Sequence, residues 1–296
     1  MSPQKISIIG CGRVGTALAV FLSKAGYNIA SVFSKTRVSA ENTVCVSGGT
    51  GTVYNSSIQA FLAGDIVFIT TPDNLIEKVC ADISSNVSVD LDTKTIFHCS
   101  GALSSSILSS ASKKGAHTGS IHPLQSFAPY SYEQPSPFAG INISVEGDEK
   151  ALAIGKELVH VLKAKYFTIP TKAKTLYHAA AVVASNYLVT LEHFALELLK
   201  EAELSEQKAY EILEPLIQGT LTNIKTRGSV AALTGPVARG DAQIVEKHLR
   251  AINEALPEFS KLYRVMGQYT LKLVEKRGEL DQISVEGLTD IFTEGK

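Results

Sequence analysis

With 296 residues, the chain is long enough to form two domains of ordinary size. Hydrophobic residues make up 45% of it and charged residues 19%, which excludes global disorder and predicts a sizeable core. The net charge of −1 provides no basic footprint for nucleic acid. We expect no membrane span either, because the most apolar stretch, 179–191, is short and contains Ser185 and Asn186.

The strongest motif lies near the start of the chain. An apolar run of strand length enters the turn Gly10-Cys11-Gly12-Arg13-Val14-Gly15, and a segment with helical periodicity leaves it. In this G-x-G-x-x-G pattern, the first glycine allows a tight turn, the second lets a pyrophosphate approach and the third lets the helix pack on its strand. The helix N-terminus attracts negative charge. The motif predicts a dinucleotide site, and a structural glycine turn is the alternative.

The rest of the first half alternates between strands and helices. Strands are predicted at 28–33, 65–70, 95–98, 117–121, 142–145 and 166–169, with helices between them, including one over 104–114. This alternation predicts an α/β fold, a doubly wound parallel Rossmann sheet, in a domain of residues 1–169. Asp73 is a plausible N-cap of the helix that ends near Ile83.

The β pattern disappears after Pro170, so residues 170–296 are predicted to form an all-α domain. Its first helix, 172–203, is apolar nearly all round, which predicts that it is buried. Helices are predicted at 206–218 and 221–224, with an interruption at Pro215. Helices at 242–252 and 257–277 and a short final one follow.

The residues after the second strand indicate the choice of cofactor. NAD enzymes usually place a carboxylate there to hold the ribose 2′-hydroxyl, whereas this chain has Ser34, Lys35, Thr36 and Arg37. A hydroxyl and two cations suit the 2′-phosphate of NADP, although a solvated basic turn has the same composition. The ends of two later strands should also face the cofactor, with residues Thr70, Thr71, Pro72, Ser100 and Gly101.

Three histidines, His98, His117 and His122, lie near the ends of predicted strands. No carboxylate accompanies them at ligand spacing, so we expect no metal site. His122 is a candidate for lining the pocket, and a histidine bonded to backbone is the alternative. The four cysteines are scattered without a C-x-x-C pair, and the first residues run directly into a strand. We therefore expect reduced thiols, no signal peptide and a cytoplasmic location.

Polar residues on the apolar helix 172–203 form a stripe. At 100° per residue, Lys174, His178 and Ser185 fall within about 40° of one another, and Asn186 borders them. The stripe predicts a lined cavity; alternatively, Lys174 snorkels to solvent and His178 simply packs. Further along, Arg239 is a candidate to hold a substrate carboxylate. Asp241 either contributes to the substrate site or caps the helix that follows it.

A Rossmann domain followed by an all-helical domain resembles the domain order of the group that contains 6-phosphogluconate dehydrogenase, the β-hydroxyacid dehydrogenases, pyrroline-5-carboxylate reductase and ketopantoate reductase. More closely, the chain resembles the family whose C-terminal half is the domain of unknown function 2520. The resemblance covers essentially the whole chain and rests on three motifs: His122-Pro123-Leu124-Gln125; Tyr177-His178-Ala179-Ala180-Ala181 with Ala184-Ser185-Asn186; and Leu233-Thr234-Gly235-Pro236 with Arg239-Gly240-Asp241.

The resemblance implies an NADP-dependent oxidoreductase that reduces a small keto acid, with ketopantoate as a candidate substrate. Ketopantoate reductases use a lysine followed one helical turn later by an asparagine; Lys174 matches the lysine, but His178 occupies the asparagine position and Asn186 lies two turns further on. Lys174 or His178 would supply the proton, and Arg239 or Asn186 would orient the substrate. An imine reductase resembling pyrroline-5-carboxylate reductase and a non-catalytic NADP(H) sensor are the alternatives. The resemblance also implies a homodimer formed through the helical domain.

Overall fold

The computed structural model describes residues 4–88, 90–128 and 131–293. The chain divides into two compact units, Met1–Asn186 and Tyr187–Lys296. The boundary predicted from the sequence, between residues 169 and 170, lies earlier, where the last strand has just ended, and it stays a prediction.

An eight-stranded sheet forms the centre of the first unit. Its strands are β1 (Lys5–Ile9), β2 (Asn28–Phe33), β3 (Thr52–Val53), β4 (Ile66–Ile69), β5 (Thr95–His98), β6 (His117–Pro123), β7 (Asn142–Gly147) and β8 (Lys165–Thr168). Their order is β3-β2-β1-β4-β5-β6-β7-β8. The order reverses beside β1, as in a doubly wound Rossmann sheet, so the predicted fold class is confirmed.

Two details of the sheet differ from the prediction. The two-residue strand β3 was not anticipated, and β7 runs antiparallel to β6, whereas the other neighbouring strands are parallel. A parallel neighbour needs a crossover connection, usually a helix. The described residues between β6 and β7 form turns and bends instead, so the chain returns in the opposite direction.

Helices cover both faces of this sheet. They are α1 (Arg13–Lys24), α2 (Arg37–Val46), α3 (Ser57–Ala63), α4 (Asp73–Asn86), α5 (Ser109–Ser112) and α6 (Glu149–Val161). Two apolar cores result: along β4, Phe68 belongs to one core while Val67 and Ile69 belong to the other. This alternation follows from the two-residue period of a strand.

The helix predicted over 104–114 is only partly present. A 3₁₀ turn at Ser105–Leu108 leads into the short α5. The segment is rich in serine, whose hydroxyl competes with the backbone for hydrogen bonds and so weakens a regular helix.

The apolar helix after the sheet is longer than its most apolar stretch indicates. Residues Thr171–Glu201 are helical, and an 18-residue window has a mean hydropathy of 1.3, so by length and composition the helix could cross a membrane. This corrects the expectation that no stretch is long enough. Length and composition alone do not identify a membrane span, because a helix covered by another protein surface passes the same test.

This helix has three parts: α7 (Lys174–Val182), a π-helical segment at Val183–Tyr187, and α8 (Leu188–Glu201). The prediction that it is buried is wrong for the single chain, where only Lys174 and Phe194 are buried within the three parts. Apolar composition shows that a helix needs cover, but it does not show that its own chain provides the cover.

Helices form the second unit: besides α8 they are α9 (Glu206–Ala232), α10 (Ala242–Ala255), α11 (Pro257–Arg277) and α12 (Gln282–Thr293). The core of this unit includes Val245, Leu249, Leu271 and Phe292. The predicted interruption at Pro215 is wrong, because α9 continues through this residue. The helical dihedrals are broken instead at Gly228, where φ is +78°, a value that glycine adopts without strain.

Candidate functional site

The glycine turn has little free space except at its middle glycine. Gly10 has a φ of +111°, and a β-carbon built there would lie 2.7 Å from the backbone of Thr70. A β-carbon on Gly15 would lie 2.1 Å from the Gly10 carbonyl oxygen, whereas one on Gly12 would meet nothing within 4 Å. The turn is therefore closely packed on the inside and open at Gly12, which is the side from which a pyrophosphate can approach.

The N-terminus of α1 is available to an anion. Its N-cap is Gly12, no side chain caps it, and its first turn contains no acidic residue. The first backbone N–H groups of a helix have no partner within the helix and attract negative charge. Thr70 donates a hydrogen bond of 2.6 Å to the Gly10 carbonyl oxygen and so fixes the end of β4 against the turn.

Thr71 provides an independent sign of a ligand. Its Oγ1 is buried and has no hydrogen-bond partner among the described residues. Leaving a buried hydroxyl unpaired costs about 1–3 kcal/mol, which a bound polar group would offset. Thr71 follows β4 at the reversal of strand order, where ligands bind in such sheets. These residues fit a dinucleotide.

The other side chains of the glycine turn are engaged within the protein. The Cys11 thiol points to the Phe33 carbonyl oxygen at 3.6 Å, and Arg13 donates a hydrogen bond of 3.0 Å to the Phe127 carbonyl oxygen. Val14 packs against an apolar core of the sheet. A ligand at the turn would therefore be held mainly by backbone groups.

The basic turn after β2 is accessible. Ser34 is half-buried and Lys35 is exposed. Arg37 is exposed too, and its guanidinium bonds Glu41 at 2.8 Å and the Asn55 side-chain oxygen at 3.0 Å. An exposed ion pair of this kind contributes little stability, so the guanidinium remains available to a phosphate.

The end of β5 is a hydrogen-bonded corner. Ser100 donates a hydrogen bond of 2.7 Å to the carboxylate of Asp73, and its backbone N–H donates one of 3.1 Å to His98 Nδ1. Burial lowers the pKa of His98 to about 4, so this imidazole is neutral and its Nε2–H donates to the Ser104 carbonyl oxygen. The expectation that Asp73 is an N-cap is wrong: Pro72 is the N-cap, and Asp73 lies in the first turn of α4.

Two imidazoles meet at Gly101, directly after this corner. A β-carbon on Gly101 would lie 2.4 Å from His178 Nδ1 and 2.8 Å from His122 Nε2, so only glycine fits here without displacing them. His122 Nδ1 lies 2.8 Å from the hydroxyl of Tyr177, a residue whose role the sequence did not reveal. The two imidazole centroids are 5.9 Å apart.

Lys174 is buried beside this group. Its side chain does not snorkel to solvent, since the residue is only 1% exposed, and its Nζ has no hydrogen-bond partner among the described residues. Burial lowers its pKa from 10.5 to about 8, against the opposing influence of Glu146, Cys99 and Asp73. The amine can therefore gain and lose a proton near neutral pH, as a general acid requires.

A cavity of about 520 Å³ opens next to the imidazoles. Its lining includes His122, Tyr177, His178, Ser185 and Asn186. The residues of the predicted stripe therefore do not all line one cavity. His178, Ser185 and Asn186 line this cavity, whereas Lys174 lines a second one, of about 480 Å³. Ser185 and Asn186 belong to the π-helical segment, a feature that often marks functional sites.

The candidate substrate residues of the second unit have different surroundings. Arg239 is exposed. The carboxylate of Asp241 accepts a hydrogen bond of 3.2 Å from the Ile244 N–H and caps α10, as the structural alternative predicts, while its part in a substrate site stays a prediction.

The three histidines considered for a metal are separated. His98 bonds the corner after β5, His117 pairs with Asp148 at 3.3 Å, and His122 contacts Tyr177. Within residues 4–88, 90–128 and 131–293, no group of three or more His, Cys, Asp or Glu side chains is arranged to hold a metal ion.

Comparison with known proteins agrees with this architecture. Residues 2–123 match the Rossmann-like domain, and residues 141–270 match the domain of unknown function DUF2520. No curated protein matches the chain. Similar solved structures include BF3122 from Bacteroides fragilis, a candidate NADP oxidoreductase, with 22% identity and a TM-score of 0.74 over 90% of this chain and 98% of that chain.

Two further structures cover nearly all of the chain. Protein TM1727 from Thermotoga maritima has 28% identity and a TM-score of 0.68 over 93% of this chain and 100% of that chain. A reductive aminase from Aspergillus terreus, in complex with NADPH and ethyl-5-oxohexanoate, has 19% identity and a TM-score of 0.67 over 98% of this chain and 100% of that chain. The two halves of the chain therefore match a Rossmann-like domain and the DUF2520 domain that its motifs resemble, and the chain shares the fold of these solved structures.

Proposed function

We propose that the protein is an NADPH-dependent reductase of a small carbonyl or imine compound. The observation that carries the proposal is the buried Lys174 amine, which has no hydrogen-bond partner among the described residues and lies close enough to His122, near the end of β5, to lower the pKa of that imidazole. A binding protein without catalysis gains nothing from an unpaired buried amine, whereas a reductase needs a proton source there.

NADP is the cofactor that the residues fit best. The open Gly12, the uncapped N-terminus of α1 and the unpaired Thr71 hydroxyl suit the pyrophosphate, and the accessible Lys35 and Arg37 suit a 2′-phosphate. When bound, NADPH supplies the hydride. The solved structure of the reductive aminase of similar fold is a complex with NADPH, which supports this choice.

The protein's own part in the reaction is to place the substrate and to deliver a proton. The oxygen or nitrogen of the reduced bond gains negative charge, and Lys174 or His178 would give it a proton, an effect worth about 10²–10⁴ in rate. While it is still charged, Lys174 would also stabilise the developing anion electrostatically. Asn186, at the cavity, or Arg239, in the second unit, would orient the substrate.

Two substrate classes are the first to test. The resemblance to ketopantoate reductase favours a small 2-keto acid. The similarity to a reductive aminase favours an imine, the intermediate that forms when an amine condenses with a ketone.

Four free cysteines and the absence of a disulfide within the described residues agree with the expected cytoplasmic location.

The proposal is tested by NADPH oxidation at 340 nm with a panel of small 2-keto acids, cyclic imines, and ketones with amines. Lys174→Ala and His178→Ala are measured in parallel, with Lys172→Ala as the matched control because Lys172 is exposed on the preceding turn. Turnover lost in either of the first two variants, while NADPH still binds, supports the reductase. Tight NADPH binding with no turnover on the whole panel would instead favour the redox sensor.

We further propose that the protein is a homodimer formed through its helices. Large apolar side chains of α9 are exposed, among them Ile212, Leu216 and Leu221, which are 48%, 67% and 44% accessible. Exposed apolar area of this kind marks an interface. Sedimentation should show a dimer for the wild type and a monomer for Leu216→Glu. Ile283→Glu, at an exposed position of α12, should remain dimeric; a monomeric wild type would refute the proposal.

A further inference from the structure

Tyr177 and His122 form a pair that the proposed reaction has not yet used. The Tyr177 hydroxyl lies 2.8 Å from His122 Nδ1, and the two rings meet edge to face with centroids 5.5 Å apart. Tyr177 comes from α7 and His122 from β6, so the pair joins the helix of the candidate proton donors to the edge of the sheet. Both side chains line the same cavity.

The direction of this hydrogen bond follows from the available partners. Among the described residues, the Tyr177 hydroxyl interacts with His122 Nδ1 and with the Ser144 hydroxyl, and Ser144 lowers the pKa of Tyr177, as a group that donates to the phenolic oxygen does. With Ser144 as the donor, His122 Nδ1 is the acceptor for the phenolic hydrogen. If Nδ1 carried the proton, the phenolic hydrogen would lose its acceptor. Burial raises the pKa of Tyr177, so the phenol keeps its hydrogen and donates it to Nδ1.

The protonation state of His122 decides what its other nitrogen does. Burial, together with Lys174, His178 and His98, lowers the pKa of His122 to about 4, so the imidazole is neutral at pH 7 and carries one hydrogen. With Nδ1 accepting from Tyr177, that hydrogen is on Nε2. Nε2 is the atom that faces Gly101, at the end of β5.

We propose that Tyr177 is a positioning residue that holds His122 as its Nε2–H tautomer and so directs a neutral N–H donor toward the reacting bond. This role rests on the proposed reductase function. A neutral donor fixed in advance stabilises the charge that develops on the substrate oxygen or nitrogen, and it does not compete with Lys174 or His178 as the proton source.

The chain contains a matched control for this pair. In the second unit, the hydroxyl of Tyr263 lies 2.9 Å from His248 Nδ1, and these rings also meet edge to face. Neither residue lines the cavity. Tyr263→Phe therefore removes the same kind of hydrogen bond without touching the site.

The test reads the tautomer directly, by long-range ¹H–¹⁵N correlation spectra of the full chain labelled at its seven histidines, with His122→Asn used to assign the signal. The wild type should show His122 with a bare Nδ1 and a protonated Nε2 from pH 6 to 8. Tyr177→Phe should change the His122 signals to a mixture of tautomers, and Tyr263→Phe should leave them unchanged. A protonated Nδ1 in the wild type, or an unchanged spectrum in Tyr177→Phe, would overturn the proposal.

Kinetics provide the second measurement. Tyr177→Phe should lower kcat by about tenfold with little change in KM or in NADPH affinity, as expected for one lost hydrogen bond that orients a donor. An equal loss in Tyr263→Phe would identify a general structural effect and contradict the proposal. The spectra need no substrate, so a protein without turnover would refute the reductase function and still leave the tautomer measured.

Discussion

Replacing Lys174 by Met should stabilise the folded protein at neutral pH while it abolishes reduction. The lysine is 1% exposed and its Nζ is unpaired among the described residues, so burial penalises its charged form. A pKa lowered from 10.5 to about 8 corresponds to about 3 kcal/mol, at about 1.4 kcal/mol for each pH unit. Methionine has a similar length and carries no charge, so the variant avoids this penalty.

The sign of the pH dependence follows from proton binding. The folded chain holds the Lys174 proton less tightly than the unfolded chain does, because its pKa is lower. Between pH 8 and 10.5 the unfolded chain therefore binds more protons, and the free energy of unfolding of the wild type rises with pH across this window. Below pH 8 both states are protonated, and the whole penalty is present.

Urea unfolding of the wild type and Lys174→Met, at one fixed protein concentration from pH 6 to 10, measures the effect. The advantage of the variant should be about 3 kcal/mol below pH 8 and should shrink steadily above it. Lys172→Met, at an exposed position, should show no such advantage. A difference between Lys174→Met and the wild type that does not change with pH would refute the reasoning.

Three further predictions concern the cofactor site. In Gly15→Ala the new β-carbon meets the Gly10 carbonyl oxygen, so thermal unfolding should show a stability lower by about 1–3 kcal/mol, and NADPH affinity should fall as well. Gly12→Ala should leave the melting temperature unchanged and weaken only NADPH binding. Calorimetry should show that Arg37→Ala loses affinity for NADPH but not for NADH. The control Arg250→Ala, which breaks a similar surface ion pair, should change the affinity for neither cofactor. Thr71→Val should stabilise the cofactor-free protein by about 1 kcal/mol and weaken NADPH binding; unchanged NADPH affinity would contradict the assignment of its hydroxyl.

The Rossmann half was predictable because its signals are local. A glycine turn between a strand and a helix, and buried strands such as 66–69, are determined by a few adjacent residues. The antiparallel direction of β7 was not predictable in this way, since it depends on how the chain turns between β6 and β7, and the sequence there has no periodic pattern that distinguishes a crossover from a return.

The helical half shows where local signals fail. Pro215 was expected to end a helix, yet α9 continues through it, because a proline removes one backbone hydrogen bond and the remaining bonds can still hold the helix. The polar stripe was projected with a constant 100° per residue. The π-helical segment changes that angle between His178 and Ser185, so a projection from the sequence could not place these residues relative to Lys174.

Local patterns in the sequence identified some residues of the candidate site and missed others. His122 and His178 were identified from their positions near a strand end and on a polar stripe, and the structure brings both to Gly101. Asp73 and Tyr177 were missed as site residues. Their contacts, to Ser100 and to His122, join elements far apart in the sequence, and no spacing rule reveals such pairs.

The π-helical segment Val183–Tyr187 has a consequence for how specificity can change. Such a segment contains one residue more than the regular helical turn it replaces, so deleting one residue, such as Ala184, would restore α-helical geometry. The flanking helices α7 and α8 would keep their register, because the segment accommodates its extra residue locally, and only the side chains within the segment would point in new directions. A single deletion could thus exchange the polar lining contributed by Ser185 and Asn186 for a neighbouring set of side chains, which would give relatives of this chain a route to new substrates without any substitution.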